Sequence, residues 1–188
     1  MLFCFTPLHP RCFFDNKRSP EAGDAGGAAR HQDRLRSLVL GPPCQRVPAV
    51  LGIVAEADRA NLGLCLDSFH ILVNRTELDL LQEIDPRKVF LVQLSDFLWQ
   101  EVRSAEERIE TARHSRVFPG EGVHSDKVAE MVRQLDEMGY RGDYSFEVFN
   151  DDYRQIPLPV VAERARRSVK WITGLVSRRS LPARRRPA

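Results

Sequence analysis

The sequence predicts an α/β fold, a parallel sheet of three strands each followed by a covering helix. Three observations carry that prediction. Apolar runs at 62–66 and 89–94, and a third strand-like run at 143–149, are short and largely uninterrupted. Each precedes a segment with helical periodicity, and each ends in polar groups. Continuous apolar strands alternating with amphipathic helices are the pattern of a sheet buried on both faces.

Taken in order, residues 1–46 are rich in Pro, Gly, Ala and Arg and sustain no period of 2 or 3.6, so an irregular N-terminal region is expected, with 19–30 reading as linker. Pro48 suits a first helical turn, and Val50, Leu51, Val54 and Ala57 then share one face of a helix to about Asp58. The first strand covers 62–66 and ends at Asp67 and His70. A short helix over 77–83 puts Leu78, Leu81 and Ile84 on one side. The second strand, 89–94, ends near Gln93 and Asp96. A charged stretch and a loop with Phe118, Pro119 and Gly120 follow. An amphipathic helix over 125–138 turns Val128, Met131, Val132 and Leu135 inward and stops at Gly139. The third strand, 143–149, ends at Glu147, Asn150 and Asp151. The last helix, 159–175, aligns Val160, Val161, Ala165, Val169 and Ile172. The expected organisation is an irregular segment (1–46), an α/β unit (47–175) and a basic tail (176–188).

The chain has 188 residues, 43% hydrophobic and 29% charged, which suits one globular domain. A net charge of +2 gives the body no reason to bind nucleic acid or acidic membranes. The arginines crowded into the tail (Arg178, Arg179, Arg184, Arg185, Arg186) read as a solvated end. Cys4, Cys12, Cys44 and Cys65 show no CxxC spacing, so neither a disulfide framework nor a zinc knuckle follows, and Cys65 reads as a small buried hydrophobe. The apolar start, 1–5, is too short for a signal peptide, and no stretch approaches a membrane span. A cytoplasmic location is the default expectation.

Asp67, Gln93 and Glu147 stand at three successive strand ends. In a parallel α/β barrel those ends converge on the face where active sites sit. Two carboxylates and an amide oxygen are hard donors, suited to Mg²⁺, Mn²⁺ or Co²⁺. Each also has a plain structural reading: Asp67 as a cap, Gln93 satisfying backbone groups, Glu147 paired with an arginine.

Four segments carry a family resemblance: LGLCLDSFH (62–70), FLVQLSD (90–96), SRVFPGEG (115–122) and YSFEVFND (144–151). In this order they resemble the signature segments of xylose-isomerase-like sugar isomerases and epimerases, and within them the 3-dehydroshikimate dehydratase branch. The resemblance implies a partial (β/α)₈ TIM barrel, roughly its last three βα units. It implies a divalent metal held by Asp67, Gln93 and Glu147. It implies that His70 faces the substrate and handles a proton, and that Arg116 orients the substrate's carboxylate or hydroxyls through its fork of donors. Glu121, in the same loop as Arg116, reads as a loop-shaping residue. The implied chemistry is enolisation of a small polyhydroxy keto compound, giving a lyase or an isomerase.

The sequence also departs from the family. Residues 35–44, where the family's strand-four Glu belongs, contain no acidic side chain, and Ala112 stands where the dehydratase branch prefers a small hydroxyl residue. A whole barrel takes about 250 residues, so strands one to five lack room here. A truncated enzyme relative is therefore expected, and a non-enzymatic half-barrel that associates with another chain is the alternative; an oligomer or complementing chain belongs to that expectation. Apurinic endonucleases share the superfamily but use a His-rich zinc cluster, and this chain has Gln93 at strand seven and five histidines in all. Nucleic acid is accordingly not the expected partner.

Overall fold

The computed structural model describes residues 2–5, 33–36, 54, 56 and 62–179. Five strands form one sheet in the order β1-β5-β4-β3-β2, where β1 is Leu2–Phe5, β2 Asp33–Arg36, β3 Leu62–Asp67, β4 Val89–Leu94 and β5 Tyr144–Glu147. Strands β2 to β5 run parallel; β1 lies antiparallel beside β5. The expected parallel α/β sheet is present. The segment read as having no regular period nonetheless supplies two four-residue strands, one at each sheet edge. Strands this short give a period-2 signal too brief to separate from background.

Register builds the site before any side chain is considered. Asp67 pairs with Gln93, and Gln93 pairs with Ser145. Side chains alternate across a strand, so Cys65, Asp67, Gln93, Ser145 and Glu147 share one face. The intervening Leu64, Leu66, Val92, Leu94, Tyr144 and Phe146 join the main hydrophobic core with the helices.

Among the described residues, the strands are accompanied by the α-helices α1 (Ser68–Val73), α2 (Ala105–His114), α3 (Ser125–Glu137) and α4 (Leu158–Arg179). In α3, Val128, Met131, Val132 and Leu135 are buried as the periodicity requires, each stabilising by about 1.5–3 kcal/mol relative to exposure. Gly139 ends that helix at φ 93°, a backbone state open to glycine at little cost. In α4, Val161, Ala165 and Ile172 are buried, but Val160 is 47% exposed and belongs on the solvent side. The helix begins at Leu158 and runs to Arg179, beyond the expected 159–175.

The segment 77–83 folds as a 3₁₀ helix, Leu78–Glu83, with Leu81 and Ile84 buried. Of the helix expected from Pro48, only Val54 and Glu56 lie among the described residues; both are helical and Val54 is buried. Arg184, Arg185 and Arg186 lie outside the described residues. Helix α2 occupies the charged stretch. Ser104 accepts from the Glu107 N–H while the Glu107 carboxylate accepts from the Ser104 N–H, a complete capping box.

Candidate active site at the carboxyl edge of the sheet

The end of β3 leads directly into α1. Asp67 closes the strand and caps the helix, its Oδ1 accepting from the Phe69 N–H at 3.0 Å. Capping fixes the carboxylate, and one turn on, His70 places Nε2 3.5 Å from Asp67 Oδ2. Both side chains are buried. At the next strand end, Ser95 N–H donates to Ser68 Oγ at 2.8 Å and Ser68 Oγ donates to Ser95 O at 2.7 Å, tying β3's exit to that of β4.

Arg116 arrives from the loop after α2. Its N–H donates to Phe149 O, and Asn150 Nδ2 donates to Arg116 O, so its backbone is tied to the residues that follow β5. Its Nε donates to Ala112 O at 2.9 Å, and its guanidinium carbon lies 4.4 Å from the Phe69 ring centroid. One nitrogen, Nη1, then reaches Asp67 Oδ2 at 3.1 Å and Glu147 Oε2 at 3.5 Å, with the Ser95 hydroxyl at 3.4 Å. Arg116 is only 3% exposed. A charge that deeply placed needs partners, and the two carboxylates are those partners.

Asp67, His70, Arg116 and Glu147 are thus brought together. Gln93 lies beside Asp67 in register, and its Oε1 accepts from Cys65 Sγ at 3.2 Å. Glu121, expected to shape its loop, does so: it accepts from the Tyr153 hydroxyl and pairs with Arg164 Nε at 3.0 Å. Burial, and then the Glu121 carboxylate, push the Tyr153 phenol well above its ordinary range.

One organising residue went beyond the sequence reading. Asp96 is completely buried, and its Oδ1 accepts from the Phe97 N–H at 2.6 Å and the His124 N–H at 3.2 Å. Its Oδ2 accepts from the Ser125 hydroxyl at 2.6 Å. Asp96 and Val117 exchange both backbone hydrogen bonds, at 2.9 and 2.8 Å, which fixes the residue next to Arg116. The signal was an acidic residue just past an apolar strand, facing a glycine-rich loop.

A family model, described as xylose isomerase-like TIM barrel, matches residues 40–175. The chain belongs to the xylose isomerase-like TIM barrel family. Its sequence is 37% identical over 120 residues to a 3-dehydroshikimate dehydratase of Pseudomonas aeruginosa, covering 64% of this chain and 18% of that protein. It is 30% identical over 128 residues to an inosose isomerase of Halalkalibacterium halodurans, covering 64% of this chain and 39% of that one. In structure it is similar to a xylose isomerase-like TIM barrel/4-hydroxyphenylpyruvate dioxygenase fusion protein, with TM-score 0.70, 29% identity, and coverage of 79% of this chain and 23% of the other. The chain therefore spans well under half the length of these relatives. Among the described residues no helix is long and apolar enough to cross a membrane.

The divalent cation expected from the sequence can be tested against the donor set. Asp67, Gln93 and Glu147 offer three oxygen donors on one face of adjacent strands, which suits a hard ion. Among the described residues no group of three or more His, Cys, Asp or Glu is arranged to hold a metal. The set fits such an ion in donor chemistry and in sharing one face, with Gln93 as the neutral third donor.

Proposed function

We propose that this chain carries the metal- and substrate-binding edge of a lyase or isomerase that enolises a small polyhydroxy keto compound, of the kind 3-dehydroshikimate dehydratases and inosose isomerases handle. The observation that carries it is the meeting of Asp67 and Glu147 on Arg116, with His70 beside Asp67, at the carboxyl edge of parallel strands. A divalent ion (Mg²⁺, Mn²⁺ or Co²⁺) held by Asp67, Gln93 and Glu147 would supply Lewis acidity at a substrate carbonyl.

The remaining work falls to the chain's own groups. His70 is the group that takes and returns the α-proton; its Nε2 faces the Asp67 carboxylate at 3.5 Å, which steadies the ring. Arg116, packed on Phe69 and anchored through Nε, presents a fixed donor to an anionic or hydroxylated substrate group. The Ser68–Ser95 exchange holds the two strand ends at constant spacing, so the donors need little reorganisation.

Calorimetry with Mn²⁺, Co²⁺ and Mg²⁺ tests the metal, and chromatography of 3-dehydroshikimate incubated with the metal-loaded chain tests the reaction. Binding that Glu147→Ala removes supports the reading. Absence of binding, or binding untouched by Glu147→Ala, defeats it.

A second reading is a non-enzymatic half-barrel that acts by association with another chain. It is favoured by residues 35–44, which contain no acidic side chain where the family's strand-four Glu belongs. Turnover by the purified chain alone would rule it out.

A further inference from the structure

We propose that Arg116 is the resident counter-ion of the metal site, so that a divalent cation and the Arg116 guanidinium compete for the same two carboxylates. The inference rests on the metal reading above and adds a property that reading does not contain. Its basis is geometric. One buried nitrogen, Arg116 Nη1, lies 3.1 Å from Asp67 Oδ2 and 3.5 Å from Glu147 Oε2, the two anionic members of the donor set. The Asp67 carboxylate approaches through both oxygens, the second at 3.3 Å. A cation coordinated by these oxygens must share their negative charge with Nη1 or displace it.

Charge points the same way. Asp67 is fully shielded from solvent and Glu147 is 12% exposed, so water screens their interactions weakly. A fixed guanidinium at this distance neutralises the carboxylates and also repels an arriving doubly charged ion. Each effect lowers the affinity of the site.

The arginine has a place to remain once Nη1 lets go. Nε donates to Ala112 O, and the guanidinium face rests on Phe69, neither of which involves the donor set. Displacement therefore means a small rotation of the guanidinium, not expulsion of the side chain. The Nη1 donor it frees stays at the edge of the site, next to the Glu147 carbonyl at 3.4 Å.

The test is Mn²⁺ calorimetry on the metal-stripped full chain, its Arg116→Gln variant and its Arg116→Lys variant. Arg116→Gln removes the charge and keeps a polar side chain; Arg116→Lys keeps the charge. Competition requires Arg116→Gln to bind Mn²⁺ about tenfold tighter than the parent, equivalent to 1.4 kcal/mol, and Arg116→Lys to remain close to the parent. Equal or weaker binding by Arg116→Gln, with the parent binding normally, overturns the competition and leaves the metal reading standing. No binding by any of the three removes the metal reading and the competition with it.

A measurement on the parent chain covers the case in which the variants do not fold. In protein labelled with isotopically enriched arginine, the Arg116 guanidinium resonance must shift on addition of Mg²⁺ and saturate with the calorimetric curve. A resonance unmoved while Mg²⁺ binds overturns the proposal.

Discussion

Removing the Asp96 carboxylate is the sharpest test of how the loop that carries Arg116 is held. In Asp96→Ala, the Phe97 and His124 N–H groups and the Ser125 hydroxyl lose an ionised acceptor at 2.6, 3.2 and 2.6 Å, in a position with no solvent exposure. A hydrogen bond to a charged group contributes about 1.5–3 kcal/mol, and a buried donor left unpaired forfeits its hydration as well. With the carboxylate gone, the Ser125 hydroxyl can turn its one proton to Gly122 O at 2.9 Å, which softens that loss. Two uncompensated bonds then set the expected destabilisation at about 3–6 kcal/mol. Asp96→Asn keeps an oxygen for the two N–H groups and loses the charge, and its NH₂ in place of Oδ2 leaves the Ser125 hydroxyl to donate to Gly122 O, so about 1–2 kcal/mol is expected. Urea unfolding followed by circular dichroism, with an unchanged dependence on denaturant, gives both numbers. A loss below 1 kcal/mol in Asp96→Ala, or a larger loss in the asparagine variant, would refute this account.

Gly122→Ala should act on the same joint, because a Cβ there would lie 2.3 Å from the Asp96 carboxyl carbon; we expect a loss of about 1–3 kcal/mol in a thermal melt, as for other overpacked sites. Phe146→Ala empties a fully buried position edge-on to Phe118 and should cost about 3–5 kcal/mol by urea titration. Val160→Lys should stay within about 0.5 kcal/mol, whereas Val161→Lys, at a buried position on the same helix, should cost several times more. For pH, the Tyr153 phenol is raised in the fold, so the folded state holds its proton after the unfolded chain has released it. Its stabilising share is complete below the ordinary phenol value near 10 and falls as pH rises beyond it. Tyr153→Phe should flatten that alkaline decline, measured as the urea midpoint between neutral and strongly alkaline pH, and an unchanged slope would count against it.

The strands and helices that bury a continuous stripe were legible because their apolar periods run long enough to be counted. Val128 to Leu135 turned inward as read, and Gly139 stopped the helix where a positive φ was needed. Val160 misled because it precedes Val161 in an apolar pair, and periodicity alone does not say which of two adjacent valines faces in. Helix α2 was missed since its stripe is thin, with Thr111 its buried residue, although Ser104 and Glu107 wrote its start into the sequence. The edge strands in 2–5 and 33–36 draw on pairing with β5 and β3, a long-range influence that no local pattern records.

The site was legible in kind and incomplete in arrangement, and the reason lies in what a sequence spacing can encode. Alternation along a strand decides that Asp67, Gln93 and Glu147 share a face, so their residue types alone point to one cluster of oxygen donors. It does not decide what stands among them. Arg116 enters from a loop, and its position depends on Phe149 and Asn150 beyond a different strand and on Phe69 within α1. Arg116, read as orienting a substrate, is also a buried cation on two carboxylates. Its charge and the two carboxylates cannot be reasoned about separately: a variant that removes either side leaves the other a buried charge without its partner.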